Sequence, residues 1–305
     1  MNYIQRKKRQ FQESAWLLGI CEHGFDDLKE NRIHWVSNGK YEGKKWFADP
    51  FILDYDEKTI HLLVEEFDYK VHRGRIAKLI VNREKWTVED CKIILDLPTH
   101  LSFPMIWRED GNVFVCPENY KSGSWNMYRY NESSEKLVLE KDLLKMPLTD
   151  AIMFSENNRY YILSTFFPTP SGSRLSIWQS NQMMGTYNKV QEVAFNENIA
   201  RNAGMIFMCG DEMVRPAQEC NDTYGHAISF QAFSINNGQF SFAELFRWYS
   251  NHKKYNIGTH TYNQHQKGMA VIDVKGYRYP FIGRVLKFAD VVLETTCLKK
   301  PYKPV

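Results

Sequence analysis

The stretch Trp46-Phe47-Ala48-Asp49-Pro50-Phe51-Ile52-Leu53 decides how the chain is read. It is a short apolar run with one acid inside it, and its pattern returns downstream. Leu101-Ser102-Phe103-Pro104-Met105-Ile106-Trp107, Leu148-Thr149-Asp150-Ala151-Ile152-Met153-Phe154 and Arg201-Asn202-Ala203-Gly204-Met205-Ile206-Phe207 repeat it. Pro50, Pro104, Ala151 and Gly204 hold one position of the repeat, at steps of 54, 47 and 53 residues. A period near fifty residues fits a propeller blade of four strands.

Each unit continues alike. A turn of Asp, Asn or Gly follows the apolar run, as in Arg108-Glu109-Asp110-Gly111. A second aromatic or β-branched strand comes next, such as Ile60 to Val64, which ends in Glu65-Glu66. Third strands with period-2 alternation are predicted over Gly74 to Val81, Trp125 to Tyr130, Arg174 to Gln179 and Ala227 to Phe233. Fourth strands are predicted near Lys92 to Leu95, Lys136 to Leu139, Lys189 to Val193 and Ser241 to Leu245. Helical periodicity is absent, apart from a single turn expected over Asp142 to Lys145.

His260-Thr261-Tyr262-Asn263 and Gly268 to Val274 read as half of a fifth unit, completed by Ala15 to Cys21 and Ile33 to Ser37 from the N-terminus. A ring closed by both chain ends leaves no sheet edge open. The expectation is therefore an all-β fold: a single-domain five-bladed β-propeller over residues 15–297. A basic N-terminal arm (1–14) precedes it and a C-terminal tail (298–305) follows.

Composition narrows the function classes. Net charge is +3 with both signs interspersed, so no nucleic-acid partner is expected; Arg6-Lys7-Lys8-Arg9 reads as a solvated arm. No apolar run is long enough for a membrane span, and Gln5 to Ser14 is too polar for a secretory signal. Cys21, Cys91, Cys116, Cys209, Cys220 and Cys297 form no CxxC pair, which points to free thiols in a cytoplasmic setting.

First strands of propeller blades line the central axis, so matching positions converge on one funnel. Asp49 and Asp150 stand at the same blade position, and an acid in an apolar strand is costly unless it is paired. Glu65 or Glu66, Glu118 and Gln218 end second strands, with Arg215 three residues before Gln218. His100, Arg201 and His260 stand just upstream of first strands, and Ser102 and Asn202 hold the place before the repeat's acid position. Trp46, Tyr262 and Asn263 are further candidates to contact a sugar. Paired carboxylates in a shared funnel suit acid/base work at a glycosidic centre, although each acid alone can instead tie a turn or two blades together. His260 with Asn263 and His265 leaves a central ion open, but a hydrogen-bonded histidine accounts for it, so no metal ligand or cofactor is assigned.

Trp46-Phe47-Ala48-Asp49-Pro50-Phe51 and the two in-register acids resemble the five-bladed propellers of glycoside hydrolase family 43. With His100-Leu101-Ser102-Phe103-Pro104, Arg201-Asn202-Ala203-Gly204, Arg215-Pro216-Ala217-Gln218 and His260-Thr261-Tyr262-Asn263, the chain resembles more closely the N-terminal propeller of glucosamine inositolphosphorylceramide transferases and its bacterial relatives. The hydrolase resemblance implies Asp49 as general base and Asp150 as the modulator of the acid's pKa. It also implies a blade-four Glu as acid, and there this chain has Asn202. Glu118 or Glu66 is then the candidate acid.

The implied function is action on a glycan or glycoconjugate, by hydrolysis or transfer, in surface-polysaccharide metabolism. A glycosyltransferase or accessory domain using an activated sugar, and a non-catalytic glycan-binding propeller, are the alternatives. On the catalytic reading, Asp49→Asn is expected to abolish turnover and leave the melting temperature nearly unchanged.

Overall fold

The computed structural model of the chain describes residues 13–286. Residues 1–12 of the expected arm, the 298–305 tail and Cys297 lie outside the described residues. The chain enters with β1 (Ser14–Cys21), α1 (Phe25–Lys29) and β2 (His34–Val36). It then lays down β3 (Lys45–Tyr55), β4 (Thr59–Asp68), β5 (Gly74–Asn82) and β6 (Thr87–Leu95) as blade one. Blade two is β7 (Ser102–Glu109), β8 (Asn112–Glu118), β9 (Trp125–Asn131) and β10 (Lys136–Leu144). Blade three is β11 (Leu148–Glu156), β12 (Arg159–Phe166), β13 (Arg174–Ser180) and β14 (Asn188–Ala194). Blade four is β15 (Phe207–Cys209), β16 (Glu212–Glu219), β17 (Ala227–Asn236) and β18 (Gln239–Trp248).

The last blade takes β19 (Tyr262–Gln264) and β20 (Ala270–Tyr277) from the C-terminal side and β1 and β2 from the N-terminal side, in the order β19-β20-β1-β2. β1 pairs antiparallel with β20 from Ser14 opposite Tyr277 to Cys21 opposite Ala270. The five-bladed propeller with its ring closed by both ends of the chain is thus the observed architecture. No helix of the described residues is long and apolar enough to cross a membrane.

Burial follows position in the blade. Phe47, Ala48, Phe51 and Ile52 on inner strand β3 are all buried, because that strand packs on both faces. Outer strand β10 is mostly exposed and carries Lys136, Glu140 and Lys141, charges that keep an edge from pairing with other chains. Two local expectations differ from the structure. Asp142 to Leu144 continue β10 across an irregularity in its pairing with β9, so no helical turn forms there. The short helix α1, unforeseen, is pinned by Phe25, which inserts among Phe207, Phe230 and Tyr262 at ring distances of 5.0, 4.8 and 6.0 Å.

The repeated acid position is a β-bulge. β3 pairs with β4 as far as Ala48 opposite Glu65 and resumes at Phe51 opposite Leu63, so Asp49 and Pro50 face one residue. The same break falls between Ser102 and Met105 in β7 and between Thr149 and Ile152 in β11. The first bulged residue is left-handed each time: Asp49 at φ 50°, Phe103 at φ 43° and Asp150 at φ 43°. Asp tolerates this conformation; a bulky Phe adopts it only where its surroundings hold it there.

Candidate functional site

Carboxylates hold these bulges, and they do so across blade boundaries. Asp273 of β20 accepts the backbone N–H of Asp49 at 3.0 Å. Asp49 accepts the N–H of Phe103 at 3.0 Å, and Glu118 accepts the N–H of Asp150 at 2.9 Å. Each acid thus fixes the bulge of the next blade. Two asparagines do similar work in blades four and five. Asn202 donates to the carbonyls of Asp150 and Leu163, both at 2.8 Å, and Asn263 donates to that of Pro50 at 2.9 Å. Leaving such buried backbone groups unpaired would cost about 1–3 kcal/mol each.

Above the bulges all five blades open onto a cleft of about 360 Å3. Of the residues predicted for the site, Trp46, Asp49, His100, Ser102, Glu118, Arg201 and His260 line it. Asp150 stands behind the wall, where its carboxylate accepts Arg201 Nε at 2.5 Å and Gln218 Nε2 at 2.6 Å.

The remaining predicted residues point elsewhere. Glu66 faces away and is held by Lys45 at 2.5 Å and Arg75 at 2.9 Å; its neighbour Glu65 is the acid on the cleft wall. Asn202, which holds the blade-four position where an acid was sought, is fully buried in its bonds to blade three. Arg215 lies behind Asn202, donating to its Oδ1 at 2.8 Å, to Gln231 at 2.7 Å and to the carbonyl of Ala200. Gln218 is spent on Asp150 and the Asn202 carbonyl. Tyr262 belongs to the aromatic core around Phe25, and Asn263 lines a lower cleft together with Phe51 and Met205.

Sequence reasoning did not single out Trp16, Tyr120, Lys121, Phe167 and Tyr224, which complete the wall. None occupies the repeated inner-strand position. Trp16 sits on the blade-five strand supplied by the N-terminus, and the other four lie in or beside loops between blade strands. The rings form platforms: Trp16 stacks on His260 at 3.9 Å, Tyr120 on Phe167 at 4.0 Å, and Tyr224 covers the Arg201 guanidinium at 5.0 Å.

The electrostatics are those of crowded, buried acids. Burial pushes the Asp49 carboxyl up to about 7, with Asp150, Glu65 and Asp273 adding to the rise and His260 opposing it. Burial also holds Glu118 well above the usual carboxylate range, reinforced by Asp150 and opposed by Arg201. Burial works against a charged His100 and a charged His260, but Glu65 outweighs it for the first and Asp273 with Asp49 for the second, so both rings are raised. Arg201 keeps its charge, shared between Asp150 and Glu118 Oε2 at 3.2 Å.

Asp49, His260 and Asp273 bring possible metal-ligating atoms within 4.8 Å of one another. Those atoms are engaged in the fold: Asp273 Oδ1 accepts the N–H groups of His260 and Thr261, and Asp49 Oδ1 accepts the Thr261 hydroxyl at 2.7 Å. The set fits a hydrogen-bonded knot joining blades five and one. A larger cleft, of about 490 Å3, lies at the opposite ends of the same strands and is lined by the Lys78–Glu135 and Lys267–Asp54 pairs.

Solved structures share the architecture. An exo-β-1,3-galactanase from Phanerochaete chrysosporium aligns with a TM-score of 0.51 at 8% identity, covering 75% of this chain and 60% of its own. The xyloglucan PUL GH43B of Bacteroides ovatus aligns with a TM-score of 0.51 at 12% identity, covering 70% of this chain and 48% of its own. At such identities the likeness is one of fold. Curated relatives are nearer in sequence. Glucosamine inositolphosphorylceramide transferase 1 of Arabidopsis thaliana is 30% identical over 204 residues, 62% of this chain and 26% of the relative. Its counterpart in Oryza sativa subsp. japonica is 26% identical over 188 residues, 59% and 25%. The chain therefore spans about a quarter of the length of these relatives. The family described as "Glucosamine inositolphosphorylceramide transferase 1, N-terminal" matches residues 34–276, most of the chain and nearly all of its blades, and the chain belongs to that family.

Proposed function

We propose that the propeller binds a glycan or glycoconjugate in the five-blade cleft and acts on a glycosidic bond there. The observation that carries this reading is the pairing of Asp49 and Glu118 on one aromatic-walled cleft, both carboxyls held above their usual range. Aromatic faces take the C–H faces of a pyranose, and carboxyls kept partly protonated suit general acid/base work. Glu118 is the proton donor to the leaving oxygen, and the Asp150–Arg201 pair beside it sets its charge. Asp49 takes the proton of the attacking hydroxyl as the anomeric carbon exchanges one oxygen for the other.

Support for a carbohydrate role comes also from the family, whose curated members are named as transferases of glucosamine inositolphosphorylceramide. That name favours transfer as a second reading. The cleft's charges favour it less, because Arg201 is shared by two acids and Arg215 lies behind Asn202, so Lys121 is the cation best placed to meet a phosphate. A cytoplasmic role in building surface glycans belongs to the same proposal; the five described cysteines are all unbonded, as a reducing compartment would keep them.

A glycan array probed with the purified protein tests binding, and the best ligands then serve in turnover assays with and without nucleotide sugars. Glu118→Gln is expected to keep binding and lose turnover. Release of free sugar supports hydrolysis, and product only with a donor supports transfer. Binding without turnover in the wild type leaves a glycan-binding module and removes the catalytic part.

A further inference from the structure

The two ends of the described chain meet at one point of the propeller. Ser14 pairs with Tyr277, and the N–H of Arg278 donates to the Glu13 carbonyl at 2.8 Å. The Arg278 guanidinium grips the Glu13 carboxylate at 2.8 Å and lies over the Tyr69 ring at 3.5 Å. Beyond this clamp, residues 280–286 form a short helical segment. Gly283 sets its inner side: it is buried against Tyr277, and a Cβ there would stand 2.6 Å from that ring. Arg284 ties the segment sideways, donating to Asn256 Oδ1 at 2.8 Å and to the Lys253 carbonyl at 3.4 Å. With that side packed, Phe281, Ile282 and Val285 are left 81%, 41% and 53% exposed.

An apolar ridge of this kind is unfavourable in water and marks a contact surface. The charges beside it point to what covers it. Lys253 and Lys254 stand exposed on the loop that Arg284 holds. Among the described residues, none of these three cations has a carboxylate at ion-pair distance. Residues 1–12 and 287–305 together hold eight Lys and Arg against two acids, the run Arg6-Lys7-Lys8-Arg9 among them. The whole chain is only +3, so residues 13–286 are net negative and the basic excess belongs to the two ends. In sequence, the spacing begun by Phe281 and Val285 continues at Phe288 and Val292.

We infer that this ridge, with Lys253, Lys254, Arg284 and the basic residues of both chain ends, docks the propeller on an anionic phospholipid surface. Apolar side chains enter the headgroup layer there, and Lys and Arg meet the phosphates. A second copy of the chain fits less well, because self-complementary pairing sets the same cations near their own duplicates. A nucleic acid would use the charges and leave Phe281 in water. Docking of this kind is independent of what the cleft binds.

Co-sedimentation of the full chain with vesicles tests it, using phosphatidylcholine alone and phosphatidylcholine mixed two to one with phosphatidylglycerol. The wild type is expected to pellet with the mixed vesicles only, and to be released by high salt. Phe281→Ser, and Lys253→Glu combined with Lys254→Glu, should each weaken binding at least tenfold and melt with the wild type, because all three side chains are exposed. Equal binding to both vesicles, binding to neither, or a Phe281→Ser variant as tight as the wild type would overturn the inference. So would a wild-type dimer in analytical ultracentrifugation that Phe281→Ser dissociates, which would give the ridge to a second copy. Duplex DNA bound as tightly per phosphate as the mixed vesicles would also overturn it.

Discussion

Asp49 of the first blade accepts the backbone N–H of Phe103 in the second at 3.0 Å, and Phe103 sits left-handed at φ 43°. The acid that reads as catalytic in the sequence therefore also holds a strained bulge in the next blade. Asp49→Asn weakens this junction and the bond from Thr261. Thermal melts should show a loss of about 1–3 kcal/mol. This differs from the sequence expectation of an unchanged melting temperature, and coincident melting curves would restore it.

Asn202 tests whether a hydrolase-type acid can simply be put back. Its amide donates to two blade-three carbonyls and its oxygen accepts from Arg215 Nε. Asn202→Glu would set carboxylate oxygens against those carbonyls. The expected result is a loss of roughly 2–3 kcal/mol in chemical denaturation, with no gain in turnover.

Gly204 lies at the junction of blades four and five, where a Cβ would stand 1.8 Å from the Tyr262 carbonyl oxygen. That atom is backbone and cannot swing aside. Gly204→Ala should cost more than about 3 kcal/mol, as steric clashes in a packed interior do, or prevent folding. Circular dichroism melts check it.

Glu118 sets a pH dependence. Burial first, and then the charge of Asp150, raise its folded pKa above the unfolded value of about 4.3. A group raised in this way contributes fully below its unfolded pKa, and the contribution is lost as pH rises through the folded one. From about pH 4 upward the wild type should lose stability relative to Glu118→Gln. Melts across that range check it, and parallel curves would contradict the assignment.

Much of the fold is legible in the sequence because a propeller repeats its grammar. The Ala48-Asp49-Pro50 pattern and its copies mark inner strands, and those strands are where they were expected. The site is only half legible. Repeat position finds Asp49 and Ser102, which do face the cleft, but it cannot tell an acid that serves the ligand from one that serves a neighbouring blade. Period-2 alternation puts Glu65 and Glu66 on opposite faces, yet only the partners Lys45 and Arg75 reveal which face is which. Trp16, Tyr120 and Tyr224 come from positions that no repeat marks, so convergence in space alone reveals them. Helix α1 was missed because its five residues are held by tertiary packing of Phe25, not by a periodic apolar face.

The central claim is that a sugar sits in the five-blade cleft. Chemical-shift mapping with the best glycan-array ligand tests it most directly, with the tryptophan indole N–H signals as reporters. Trp16 and Trp46 line the cleft, and Trp107 lines the lower one beside Arg108 and His265. The indole signals of Trp16 and Trp46 should move on titration while that of Trp107 stays still. Movement of Trp107 alone, or of none of the three at saturating ligand, would contradict the account.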